Sequence, residues 1–274
     1  MSELPFILQL IATGSAFVIK PTYMVLMLFA VWHLHKRNGH DLMILKYGVA
    51  VFLLGEIFCS INYLFFSDLS NLLDWAHGFC MVIGLSIISL GIFLFFDSRV
   101  IFYSNSNKPC AFVRFCYNCE KYSQTSCGLK KLFIFFAFAL STISLMPLIS
   151  PLIHVKQEVF IFGAKEIYYY PAIQQFFDLR IYPIAAFMLF VSSAFILLAV
   201  KKSPVKYAKY TFAFGIGFFV FSIFRYILLY CYKDQMIWKV FWEEFTELLL
   251  ILGILLFLFV FSAQIKKYKF DASR

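Results

Sequence analysis

Apolar runs of about 20 residues recur from one end of this chain to the other, and they leave few folds open. A bilayer supplies no water to the backbone, so a segment inside it must satisfy its own N–H and C=O groups as a helix. About 20 residues at 1.5 Å each span the roughly 30 Å hydrocarbon layer. Seven such runs are read here, at residues 15–35, 47–66, 76–96, 132–153, 181–200, 210–230 and 238–267. The composition agrees, with 62% hydrophobic and 14% charged residues, against about 25% charged in soluble domains. The expected fold is all-α: a polytopic integral membrane protein with a seven-helix transmembrane bundle. Residues 1–274 form a single domain, without internal repeat or folded appendage. The first run starts at Phe6 and is interrupted by Lys20-Pro21, which predicts one long helix kinked near Pro21. No Lys or Arg precedes it, so no signal peptide is expected.

The net charge of +9 is placed by position rather than by a nucleic-acid surface. One set of connections holds Lys36, Arg37, Arg99, Lys108, Arg114, Lys121, Lys130, Lys131, Lys201, Lys202, Lys206, Lys209, Lys266, Lys267, Lys269 and Arg274. The opposite set has only Lys156, Lys165, Lys233 and Lys239, mixed with Asp68, Asp74, Glu158, Glu166, Asp178 and Asp234. Lys and Arg are retained on the cytoplasmic side. The N-terminus is therefore expected outside and the C-terminus inside, in the cell membrane, with the lipid bilayer as partner and no nucleic acid.

The longest outer connection covers residues 154–175. It holds two β-prone runs, Glu158 to Phe162 and Glu166 to Tyr170, separated by Gly163-Ala164-Lys165. This predicts a β-hairpin at 158–170. It can close the outer mouth of the bundle as a lid, or lie at the headgroups as an aromatic belt.

Charges inside the spans mark the first candidate site. Glu56 lies in the middle of its run, where a bare carboxylate costs several kcal/mol. Arg225 has the depth and reach to pair with it. His77, Lys20, Glu243 and Glu247 lie at similar or shallower outer depths, and Glu243 and Glu247 share a helix face. Glu56, Arg225, His77, Glu243, Glu247 and Lys20 are thus expected to form one outer-half pocket, which takes a small molecule or ion from outside, or else a purely structural ion pair. His77 with Glu243 and Glu247 offers a ligand set for zinc or iron, at a spacing that matches no strong motif. His33 and His35 are two apart and so on different faces, a poor chelate.

The second candidate site is the connection at 98–129, expected to be cytoplasmic. Cys110, Cys116, Cys119 and Cys127 follow a C-x5-C-x2-C-x7-C spacing. Four thiolates suit tetrahedral zinc, or less well an iron–sulfur cluster. A reducing compartment disfavours disulfides there. Unligated thiols and palmitoylated cysteines are the alternatives. Cys59, Cys80 and Cys231 are expected to be packing residues.

Seven spans with the N-terminus outside resemble rhodopsin-type receptors in topology alone. The lysine that the retinal-binding family needs in its last span is missing from residues 248–263. No P-loop, dinucleotide loop or nucleophile elbow is present. The pattern points to a sensory or signalling protein, with an outer pocket under a lid and a metal-stapled cytoplasmic loop. A proton- or ion-linked transporter built on Glu56 and a membrane-embedded metal-dependent enzyme are the alternatives.

Overall fold

The computed structural model describes residues 4–66, 70–103, 110–111, 127–200 and 204–265. The fold is a helical bundle. In chain order the helices are α1 (Phe6–His35), α2 (His40–Phe66), α3 (Asn71–Ile101), α4 (Gly128–Ser144), α5 (Ala172–Ala199), α6 (Pro204–Tyr232) and α7 (Met236–Val260). Among the described residues six helices, α1 to α6, are long and apolar enough to cross a membrane, α4 together with the short turn at Met146–Ile149 that follows it. α7 has 25 residues, but Lys239, Glu243, Glu244 and Glu247 occupy its first half. The fourth apolar run, expected as helix to residue 153, leaves the α-helix at Ser144. Pro147 and Pro151 cannot continue the backbone ladder there.

Burial is inverted relative to a soluble protein. Phe195 is 69% exposed and Phe259 77%, whereas Glu56 is fully buried and Lys239, Arg99 and Arg225 nearly so. Apolar faces turned outward and charges turned inward are what a lipid surround demands.

α1, α2, α3, α6 and α7 close a ring, and α4 and α5 pack beside α6. The main core fills the ring with Met27, Leu34, Leu45, Phe52, Met81, Ile88, Phe95, Ile251, Ile254 and Leu258. A second cluster, Ala137, Ala186, Phe190, Ala194 and Phe212, joins α4, α5 and α6. α2 and α3 touch backbone to backbone. A Cβ on Gly84 would lie 2.8 Å from the Phe52 nitrogen, and one on Gly48 would lie 2.6 Å from the Ile88 nitrogen. In lipid, where there is no hydrophobic drive between helices, such small-residue contacts supply the packing that holds them.

Two antiparallel strands, β1 (Val155–Ile161) and β2 (Ala164–Tyr170), pair from Val155↔Tyr170 to Ile161↔Ala164. The two-residue turn is Phe162-Gly163, both at positive φ (48° and 84°). A primed turn of this kind matches the twist of the strands. The hairpin begins three residues earlier than the sequence pattern suggested, because Val155, Lys156 and Gln157 also join the ladder. The hairpin is fastened to the helices at two points. Phe162 N–H donates to Gln9 Oε1 (2.7 Å), and Met236 N–H donates to Gln157 Oε1 (3.0 Å).

At the end of the bundle away from the hairpin, Arg99 grips Asp41 with two hydrogen bonds of 2.5 and 2.8 Å. Lys209 pairs with Asp97 at the same end.

Candidate functional site

Pro21 shapes the site first. Its ring removes one N–H and crowds the carbonyl of residue 17. The helix absorbs this in a widened π-turn at Ser15–Ile19, immediately before Lys20. α1 therefore stays continuous, and Lys20 and Tyr23, three residues apart on one face, enter the bundle.

Lys20 sits in a cage of acids. Its Nζ lies 2.7 Å from Glu56 Oε2 and 3.0 Å from Glu244 Oε1. It also reaches Tyr23 Oη at 3.2 Å and Cys59 Sγ at 3.4 Å. Tyr23, fully buried, stands 2.6 Å from Glu56 Oε2 and 2.6 Å from Glu244 Oε2. Glu247 closes the group: one oxygen each of Glu56, Glu244 and Glu247 lie within 4.8 Å of one another. His77 Nδ1 is 3.0 Å from the Gly55 carbonyl oxygen. A carbonyl only accepts, so this partner assigns the ring proton to Nδ1. That proton is then spent on Gly55, and Glu56 Oε1, 3.9 Å away, has no hydrogen-bond partner among the described residues.

A second network adjoins the first. Arg225 Nη1 donates to Glu243 Oε1 (2.7 Å), and Lys239, one turn earlier on α7, pairs with the same oxygen. Lys239 also lies 4.5 Å from the Tyr170 ring centre. The Tyr170 hydroxyl donates to Asp178 Oδ2 (2.7 Å). Burial and then the Asp178 carboxylate hold that hydroxyl well above the usual tyrosine range, so it stays a donor. Asp178 lies in another π-turn (Phe177–Ile181), ahead of Pro183. Near the end of α2, Asn62 Nδ2 donates to Asp74 Oδ1 (2.6 Å).

Both networks open on one cavity of about 700 Å³. Its acidic wall has Lys20, Glu244 and Glu247, and its basic wall Arg225 and Lys239 with Glu243 between them. His77 and Asp74 lie to the side, and Phe17, Met24 and Tyr63 add apolar surface. Hairpin residues from Ile161 to Tyr170 line it as well. The volume suits a small molecule, and most of the polar groups come from rigid helices.

No family model, curated protein or solved structure matches this chain. The site is therefore read from its own chemistry.

Lys20, His77, Arg225, Glu243 and Glu247 all line the cavity, and Glu56 lies directly behind Lys20. The expected pairing of Glu56 with Arg225 is replaced by Glu56–Lys20 and Arg225–Glu243. The reason is which helices are neighbours: α2 packs on α1 and α3, while α6 packs on α3, α4, α5 and α7. Depth along a span does not reveal that. The trio His77, Glu243 and Glu247 does not come together as a ligand group among the described residues; Glu56, Glu244 and Glu247 do. Two members of the acid cage, Tyr23 and Glu244, went unread as site residues in the sequence, as did Lys239, Tyr170 and Asp178 in the adjoining network. Tyr23 was detectable, being three residues after Lys20 on its face.

Of the four loop cysteines, Cys110 and Cys127 are buried. Cys116 and Cys119 lie outside the described residues.

Proposed function

We propose that this chain is a seven-span sensory protein of the cell membrane, with its N-terminus outside and α7 as the seventh span. It takes a small ligand from outside into the cavity under the hairpin and passes the event to the cytoplasmic loop at 98–129. There Cys110, Cys116, Cys119 and Cys127 would hold zinc. One observation carries the reading. A large, charge-lined cavity lies beneath a hairpin and ends at Lys20, with Glu56 behind it, above a packed and mostly apolar core.

That core favours sensing over transport. Below Glu56 the ring is filled by Phe52, Val49, Met81, Ile88, Ile254 and Leu258, all at most 4% exposed. An ion path needs polar groups or water through this layer. A metal-dependent enzyme on Glu56, Glu244 and Glu247 is disfavoured as well, because Lys20 already takes an oxygen from two of these three carboxylates and leaves too few for a metal's ligand set.

The test uses the full chain in lipid nanodiscs. Small polar compounds are screened for a thermal shift, and each hit is tested for a change in protease cleavage within 98–129. Hits should change cleavage in the wild type and lose both effects in Glu244→Gln. Compounds that stabilise the protein and leave loop cleavage untouched would refute the sensory reading.

A further inference from the structure

The acid cage has too few hydrogens for its contacts. Tyr23 has one hydroxyl hydrogen, yet two carboxylate oxygens lie 2.6 Å from its oxygen. Such short O···O distances are hydrogen bonds, and each requires a proton between its oxygens. One bond is Tyr23 O–H donating to a carboxylate. The other must be a carboxylic acid donating to Tyr23.

The remaining contacts place that acid. Glu56 Oε2 already accepts from Lys20 at 2.7 Å, so it suits the ionised partner that takes the Tyr23 hydrogen. Glu244 accepts from Lys20 on Oε1 (3.0 Å) and meets Tyr23 with Oε2, as an acid does with its carbonyl and hydroxyl oxygens. The bonds run Glu244 Oε2–H to Tyr23 O–H to Glu56 Oε2. Glu244 lines the cavity, whereas Glu56 is fully buried.

Charge counting agrees. Every helix of the ring contributes: Lys20 and Tyr23 from α1, Glu56 and Cys59 from α2, His77 from α3, Arg225 from α6, and Glu244 and Glu247 from α7. Lys20 offsets one of the three carboxylates and a relay proton would offset a second, while the third, Glu247, is within electrostatic reach of Arg225; the His77 Nδ1 proton goes to Gly55. Burying the excess negative charge uncompensated is prohibitive, and a proton or a second cation relieves it.

We propose that the Glu244–Tyr23–Glu56 relay holds one proton loaded from the cavity, and that a ligand bearing a primary ammonium group takes that proton's place. Lys20 Nζ, at 2.7 and 3.0 Å, shows carboxylates of this cage accepting an ammonium, and Glu244 and Glu247, which line the cavity, offer the acceptors for a second. When the ligand's –NH₃⁺ donates to Glu244, the acid loses its proton to cavity water, and charge is conserved. This names the ligand class for the cavity and rests on the cavity being a ligand site.

The test is infrared spectroscopy on the full chain in nanodiscs. At neutral pH the wild type should show a carboxylic-acid carbonyl band that shifts in D₂O and is absent from Glu244→Gln and altered in Tyr23→Phe. Adding n-butylammonium should bleach the band and release protons to a pH indicator. Tetramethylammonium, which cannot donate a hydrogen bond, should do neither. Folded wild type without the band overturns the proposal using no variant at all. A band that persists through n-butylammonium, or responds equally to tetramethylammonium or only to zinc, overturns the ammonium assignment. Proton release with unchanged loop cleavage would sink the sensory reading alone.

Discussion

Replacing Lys20 with Met should destabilise the protein in a strongly pH-dependent way. Lys20 Nζ lies 2.7 Å from Glu56 and 3.0 Å from Glu244. At an effective dielectric of about 20, the contact with the ionised Glu56 is a gross attraction of roughly 6 kcal/mol. The net loss is smaller, because a stranded carboxylate can take up a proton instead of staying charged. Protonating an ordinary glutamate, with a value of about 4.3, costs about 4 kcal/mol at pH 7. That sets a ceiling close to the usual 3–5 kcal/mol for breaking a buried pair. The sign follows from proton counting. The folded variant then carries a proton that the unfolded chain lacks above pH ~4.3, so its stability falls as pH rises. Between pH 7 and 5.5 the penalty should shrink by about 2 kcal/mol, at about 1.4 kcal/mol per unit. Glu56→Gln alone should cost less, since Glu244 can give up its proton and serve as the counter-ion of Lys20, and the double variant should recover most of the Lys20→Met loss. The assay is reversible unfolding in mixed detergent micelles across that pH range. A penalty that is flat with pH, or a double variant as poor as the two losses summed, would refute the cage as an electrostatic unit.

Gly84→Ala should cost roughly 1–3 kcal/mol in the same assay, because its Cβ would press on the Phe52 backbone at 2.8–2.9 Å. Gly253→Ala, with nothing within 4 Å, should be neutral or stabilising by up to ~1 kcal/mol; equal effects would remove the argument for α2–α3 contact. Thiol labelling of intact cells should find Cys116 cytoplasmic and a cysteine substituted for Gly163 external, and labelling of both from one side would refute seven spans. Elemental analysis of purified protein should find zinc, lost in Cys116→Ser/Cys119→Ser together with protease resistance of 98–129, since metal binding and local folding are one free-energy term; protein without metal would leave the thiol reading of the loop.

The helices were legible because their signal is one-dimensional: a run is long and apolar or it is not. The hairpin showed itself through β-prone runs about Gly163, although the turn falls one residue earlier, with Phe162 at positive φ. The polar members of the site were legible too, since Glu56 and Arg225 are conspicuous inside apolar runs. Their partners were not. Pairing depends on helix adjacency and on rotation about each axis, and the π-turns at Ser15–Ile19 and Phe177–Ile181 alter that rotation beside Lys20 and at Asp178. A regular 3.6-residue count does not anticipate them. Glu244 stands between Glu243 and Glu247, which share a face, and counting by fours passes over it. Yet it is Glu244 that meets Tyr23 and Lys20, while Glu243 turns to Arg225.

On the proposed reading, the link from cavity to loop lies in how α2 and α7 are joined at both ends. Beside the cavity the joint is Glu56–Tyr23–Glu244. At the other end it is Arg99, which holds Asp41 of α2 with two short bonds and reaches the Ile265 carbonyl just beyond α7 at 3.5 Å. Between the joints α7 runs about 24 Å from Glu244 to Val260 as a stiff rod at 1.5 Å per residue. Phe257 and Phe261 pack on Phe95 of α3, with ring centres 4.8 and 5.4 Å apart. The two contacts of Arg99 differ in strength. Arg99 to Asp41 is a charge-assisted, two-point contact, while Arg99 to Ile265 is long and neutral on the acceptor side. A ligand that draws Glu244 away from Tyr23 therefore tilts a rod whose far end is the easier to release. Arg99 would stay with α2, at the point where α3 gives way to the cysteine loop. A transporter would have to open the apolar layer between these joints. A sensor needs only to shift α7 along it, and closely packed aromatic side chains allow that at far lower cost than wetting.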